Sequence, residues 1–177
     1  MSENTRKKAI EQLRADFFST DEKVVMSALS KCRDEGDASL LEPLILLYSR
    51  TDSGLIREEA ADMLRSIKVA NAEEAFMEAA LNPKFKLVRR DILSFMWNSG
   101  MQPVGWISDL TQIAVSGDLE DVIEVITLVE SMDDEFPEEQ VMDSIQQVRL
   151  YLGQAQASDK SNLIAAYLGV LEQRSQD

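Results

Sequence analysis

A repeat of about 32 residues constrains this chain more than any other feature of its sequence. With Val24 as anchor, equivalent apolar positions fall at Ile56 and Val88, each 32 residues on, and then at Val122 after a further 34. Four and five residues beyond the anchors stand Ala28 and Leu29, Ala60 and Ala61, Ile92 and Leu93, and Ile126 and Thr127; eight beyond stand Cys32, Leu64 and Met96. The intervening segments keep the same period. Leu40, Ala72 and Val104 are 32 apart, and Leu44, Leu47 and Tyr48 match Phe76, Ala79 and Ala80. One helix pair cannot bury its apolar face alone, so a period of this size calls for successive pairs stacked on their neighbours.

Local signals divide the chain into about nine amphipathic stretches. Ile10, Leu13 and Phe17 share one helical face, with Arg6, Lys7, Lys8, Glu11, Gln12 and Arg14 elsewhere, so residues 1–19 read as an N-terminal capping helix. Ser19 and Glu22 resemble a capping box opening a second helix that runs to about Arg33, with Gly36 as its stop. Further boundaries fall at Ser53 and Gly54, Asn71 with Glu74, Asn82 and Pro83, Ser99, Gly100 and Pro103, Gly117 and Asp118, Pro137, and Ser158 and Asp159. The Val- and Ile-rich stretch 118–129 reads as helix, because Val122, Val125, Ile126 and Val129 share a helical face that a strand would split. Residues 1–177 are expected to form a single domain, with 175–177 a loose tail.

The repeat units resemble the HEAT-repeat family. A proline within an apolar run, from Leu40 through Pro43 to Tyr48, matches the first helix of a family unit. Asp52 with Ile56, Arg57, Ala60 and Ala61 matches the second, and Val88, Arg89, Ile92 and Leu93 match it again. Asp21 and Asp118 hold the acidic position in their repeats, but Lys84 replaces it in the third, and Val25 and Ile123 replace the arginine in the first and fourth. An Asp–Arg ladder between units is therefore at most partial. The resemblance covers residues 20–130 best. It implies an all-α, right-handed superhelix of about four to five stacked helical hairpins, an armadillo-like α-solenoid. The second helices would line a concave face, with Glu58, Arg90 and Glu124 as contacts on it.

Charge is distributed unevenly. The net charge is −14, yet residues 1–90 carry 15 basic and 16 acidic residues, whereas 91–148 carry 13 acids and no Lys or Arg. Asp133, Asp134, Glu135, Glu138 and Glu139 surround Phe136 in one loop, a composition suited to a Lys/Arg-rich protein segment. The same block also reads as a solvated acidic surface. The basic run from Lys84 to Arg90 is read first for structure, Arg89 falling at the ladder position. A chain with pI near 4.4 starts from repulsion toward phosphates, so no nucleic-acid partner is expected. Trp97 and Trp106 flank a loop with two glycines and a proline, and read as packing residues before contact residues.

The chain has no histidine, which removes the usual general base near neutral pH and the Ser/His and Cys/His nucleophiles. Cys32, the single cysteine, reads as a small buried hydrophobe. No glycine-rich phosphate loop or calcium-loop spacing occurs. The start lacks the apolar stretch of a secretory signal and no long apolar run follows, so a cytoplasmic protein with no membrane partner is expected. The functional expectation is a non-catalytic protein-binding scaffold without cofactor or metal, monomeric or weakly homo-oligomeric, that holds a basic protein segment. Two alternatives stand beside it. One is a HEAT-like enzyme or enzyme subunit of lyase or nucleic-acid-modifying type. The other is a self-associating assembly module, suggested by Leu163, Ile164, Tyr167, Leu168, Val170 and Leu171.

Overall fold

The computed structural model describes residues 3–35 and 37–175. Among them are ten α-helices: α1 (Glu3–Asp16), α2 (Glu22–Glu35), α3 (Leu41–Arg50), α4 (Gly54–Arg65), α5 (Ala72–Leu81), α6 (Arg89–Ser99), α7 (Ile107–Ser116), α8 (Leu119–Glu130), α9 (Glu138–Gln154) and α10 (Asp159–Arg174). Short 3-10 turns at 38–40, 83–88 and 104–106 precede α3, α6 and α7, and no strand occurs among the described residues. No described helix is long and apolar enough to cross a membrane.

The chain forms two compact units, residues 1–88 and 89–177. In the first, α1 packs on α2 and α3 on α4, while α2 also packs on α4 and α3 on α5. In the second, α7 packs on α8 and α9 on α10, while α6 packs on α8, α7 on α9 and α8 on α10. Neighbour and next-but-one contacts are what an amphipathic helix with a broad apolar stripe needs, since one partner cannot cover the stripe.

Most of the periodic positions go inside, while Val24, Tyr48, Val104, Ile126 and Thr127 stay partly exposed. Ile56, Val88 and Val122 are buried, as are the pairs Ala28 and Leu29, Ala60 and Ala61, and Ile92 and Leu93, and the residues Cys32, Leu64 and Met96. Burying each larger aliphatic side chain contributes about 1.5–3 kcal/mol before conformational entropy is counted. Val122, Val125 and Val129 line the inner side of α8, so the helical reading of 118–129 holds. In α10, Ile164, Tyr167 and Leu171 are fully buried within the second unit, which accounts for three of that helix's six larger apolar residues as core. Tyr167 and Thr111 of α7 share a buried 2.9 Å hydrogen bond, and burial pushes the phenol pKa up.

Helix ends follow the local signals with one correction. The capping box expected from Ser19 and Glu22 is absent: Asp21 is the cap, its carboxylate accepting from the backbone N–H of Lys23 at 2.9 Å, while Ser19 Oγ accepts from the N–H of Asp21. Because α2 begins at Glu22, Asp21 stands at the N-cap position, from which its side chain reaches the first-turn N–H groups, and Ser19 lies two residues too early. Gly36, read as the stop of α2, lies outside the described residues, as do Met1, Ser2 and all of the tail except Ser175. Asp118 and Asp121 form a full capping box at α8, and Ser158 and Ser161 form one at α10.

The second unit is also stitched by polar contacts. Lys160 donates to the carbonyls of Val115 (2.8 Å) and Gly117 (2.7 Å), which closes the C-terminus of α7, and its ammonium lies over the Tyr151 ring. Partial burial pushes the Lys160 pKa down. From α9, Gln140 accepts from the backbone N–H of Ser108, Asp143 accepts from the Ser108 hydroxyl, and Gln147 donates to both Ser108 and Asp143. Spacings of three and four residues bring these three side chains onto the α9 face that meets α7.

Gly117 has no room for a side chain: a Cβ there would collide with the Asp121 carboxylate and come within 2.6 Å of the Ile113 carbonyl. Gly117→Ala is expected to cost about 1–3 kcal/mol in urea unfolding. Gly169→Ala, with open space around its Cβ in α10, is expected to add about 0.5–1 kcal/mol. The hydrogen bonds from Ser108 and Gln147 hold the Asp143 carboxyl below its ordinary value of 3.8. Its contribution to stability is therefore complete above that pH and is lost as pH falls through the lower, folded-state value. The urea-midpoint gap between wild type and Asp143→Asn should be widest above pH 3.8 and close on further acidification.

Candidate functional site

Between α8 and α9 the chain turns through Ser131–Pro137 and sets five exposed carboxylates, Asp133, Asp134, Glu135, Glu138 and Glu139, at one end of the second unit. Three anchors fix the loop from beneath. Gln102 Oε1 accepts from the backbone N–H groups of Asp133 (2.8 Å) and Asp134 (3.3 Å). Arg174, in the last turn of α10, donates to the Met132 carbonyl at 2.6 Å. Met132 and Phe136 are buried, so the loop also has apolar footing. Phe136 is not displayed among the acids: its ring is 8% exposed and the Arg174 guanidinium lies over it, 4.8 Å from the ring centroid.

Between the loop and the ends of α9 and α10 lies a concavity of about 430 Å³. Its walls include Asp133, Asp134, Glu135 and Glu138, with Phe136, Val141 and Arg174 among the other lining residues. None of the five exposed acids forms an ion pair among the described residues. Pro137 and the acids at 138 and 139 begin α9, where negative charge complements the positive end of the helix dipole.

The second unit carries 16 acids and five basic residues, and each of the five basic side chains has internal work. Arg89 pairs with Asp121 at 3.4 Å, both side chains nearly buried. Arg90 pairs with Glu120, which raises the guanidinium pKa, and reaches Asp91 at 3.8 Å. Arg149 pairs with Glu172 at 2.8 Å. Lys160 and Arg174 serve backbone carbonyls. The surplus negative charge is thus left to face outward, concentrated in the α8–α9 loop.

The other expected contact residues stand apart from that loop. Arg90 and Glu124 belong to the seam between α6 and α8, where Trp97 Nε1 also donates to the Glu124 carboxylate at 2.9 Å. Their charged groups are engaged in helix packing, with exposed Leu119 and Ile123 beside them on α8. Glu58 lies exposed on α4 of the first unit. The basic run is structural: Lys84 pairs with Glu42 and lies over Phe85, and Arg89 and Arg90 make the pairs just described. Arg89 makes its ion pair with Asp121, while Asp118 is held as the cap of α8.

Sequence reasoning missed Gln102 and Arg174. Gln102 stands 31 and 32 residues before the amides it accepts from, one repeat period, so the repeat offered a signal for it. Arg174 lies 42 residues from Met132, outside that period, and nothing in its neighbourhood marks it. Among the described residues no three carboxylate or thiol groups stand close enough to share a metal ion. No family model, curated protein or solved structure matches this chain.

Removal of the Gln102 amide should free the loop without unfolding the unit. Gln102→Ala is expected to raise amide hydrogen exchange at Asp133 and Asp134 selectively, with a global stability loss of about 1–2 kcal/mol. Exchange at those amides equal to wild type would show that Arg174 and Phe136 suffice to hold it.

Proposed function

We propose that the chain is a protein-binding scaffold of stacked, HEAT-like helical hairpins whose acidic α8–α9 loop docks a basic segment of a partner protein. The observation that carries this reading is the division of charge in the second unit. All five cations are engaged internally, while five exposed acids on an anchored loop have no ion-pair partner among the described residues. A fixed loop with unneutralised charge presents a field to an incoming cationic chain without an ordering cost at the moment of contact. The next-but-one helix packing within each unit supports the stacked-hairpin part of the reading.

The enzyme alternative is less well supported. Asp121, the one buried charged side chain among the described residues, is committed to Arg89 and to the α8 cap. A carboxylate so engaged is poorly placed to exchange protons with a substrate. Self-association through α10 loses its main motive, since Ile164, Tyr167 and Leu171 are core residues. A cytoplasmic location fits this reading.

The test is titration of a fluorescent ten-residue oligolysine peptide, followed by anisotropy at low and at raised salt. Binding should weaken as salt rises, and the triple variant Asp133→Asn, Asp134→Asn, Glu135→Gln should weaken it by about fivefold or more at low salt. Equal affinity of wild type and variant at low salt would remove the loop as the docking surface.

A further inference from the structure

One wall of the acid-lined concavity is a cationic group supplied by the chain itself. Arg174 comes from the last turn of α10, lays its guanidinium over the Phe136 ring at 4.8 Å, and donates to the Met132 carbonyl at 2.6 Å. It makes no ion pair among the described residues, although Asp133, Asp134, Glu135 and Glu138 line the same concavity. The internal arrangement therefore combines an aromatic face and a backbone acceptor, within a ring of exposed acids. These are the features that recognise a planar, delocalised cation with several N–H donors, and they suit a lysine ammonium less well.

From this we infer that the concavity and the Phe136 face beside it form an arginine-binding site whose aromatic face Arg174 covers in the unbound protein, and that a partner's arginine takes its place over Phe136 on docking. The inference rests on the docking function proposed above and adds to it the side chain recognised and the contact that restrains recognition. Three observations make exchange feasible. Arg174 is held by one hydrogen bond to a carbonyl and one ring contact, with no carboxylate pair. The loop keeps two further anchors when Arg174 leaves, the Gln102 amide oxygen on Asp133 and Asp134, and buried Met132. The space of about 430 Å³ is large enough for a second long side chain to enter beside the first.

A competing internal group lowers apparent affinity by the fraction of time it fills the site. Removing it should therefore tighten binding of the right ligand, whereas removing a merely structural residue should weaken binding or leave it unchanged. The experiment compares decapeptides of oligoarginine and oligolysine, of equal charge, against wild type, Arg174→Ala, Arg174→Lys and the double variant Arg174→Ala with Phe136→Leu.

Arg174→Ala should bind oligoarginine about three- to tenfold more tightly than wild type does, with a smaller gain for oligolysine. Arg174→Lys should show an intermediate gain. The double variant should lose the preference for arginine while keeping the general, salt-sensitive affinity. Amide exchange at Asp133 and Asp134 establishes whether the loop stays ordered in each variant. Oligoarginine affinity that is unchanged or reduced in Arg174→Ala, with the loop still protected, would overturn the inference and leave acidic docking standing. Failure of both peptides to bind any variant would instead sink the docking reading beneath it.

Discussion

The second unit is organised around the contact of Arg89 with Asp121. Their side chains are 12% and 6% exposed, so each charge has left water and depends on the other for compensation. Removing one member of such a buried pair typically costs about 3–5 kcal/mol, because the survivor's charge loses its opposite charge while remaining out of water. Asp121 serves two further purposes. It completes the capping box of α8, accepting from the Asp118 N–H, and it fills the space that a side chain at position 117 would occupy. One carboxylate thus fixes the spacing of α6 and α8, the start of α8 and the sharpness of the α7–α8 turn. The rungs above and below it, Arg90 with Glu120 and Trp97 with Glu124, then fall into register.

That register determines where α8 ends, and hence where the acidic loop emerges. The loop is anchored by its backbone through Gln102 and by buried Met132 and Phe136, so its carboxylates carry none of the structural load. The separation has a thermodynamic use. Charges that hold a fold together are neutralised by their partners, and charges meant for an outside partner must not be. In this unit the basic side chains all fall in the first class, and the docking role proposed above puts the loop acids in the second.

Much of the helix inventory was legible because apolar periodicity and burial are the same constraint seen twice. The same period recurs in contacts that were not foreseen: Arg6 with Asp37, Arg89 with Asp121, Ser108 with Gln140, and Gln102 with Asp133 are all 31 or 32 residues apart. What escaped was chemistry not tied to the period. The cap of α2 fell to Asp21 because several polar residues competed for one set of N–H groups, a contest that spacing does not decide. Phe136 sits in a run of acids, so its surroundings in sequence suggested display, whereas in space a residue from the far end of α10 covers it. Arg174 was invisible for the same reason, since the 42-residue span to Met132 matches no repeat offset.

The charge asymmetry has a kinetic consequence as well. At physiological ionic strength the screening length is about 8 Å, so an incoming chain feels mainly the acids close to its own path and little of the net charge. Three carboxylates on the loop and two in the adjoining first turn of α9 remain effective at that range, where the same number spread over the unit would not. Such a surface accelerates encounter with any cationic segment but discriminates poorly among them. Discrimination has to come from short-range contacts with defined geometry, and in the arginine exchange proposed above the aromatic face beneath Arg174, with the carbonyl of Met132 beside it, supplies those contacts. On that proposal, long-range attraction and short-range choice belong to different atoms, the first to the exposed acids and the second to the buried footing of the loop.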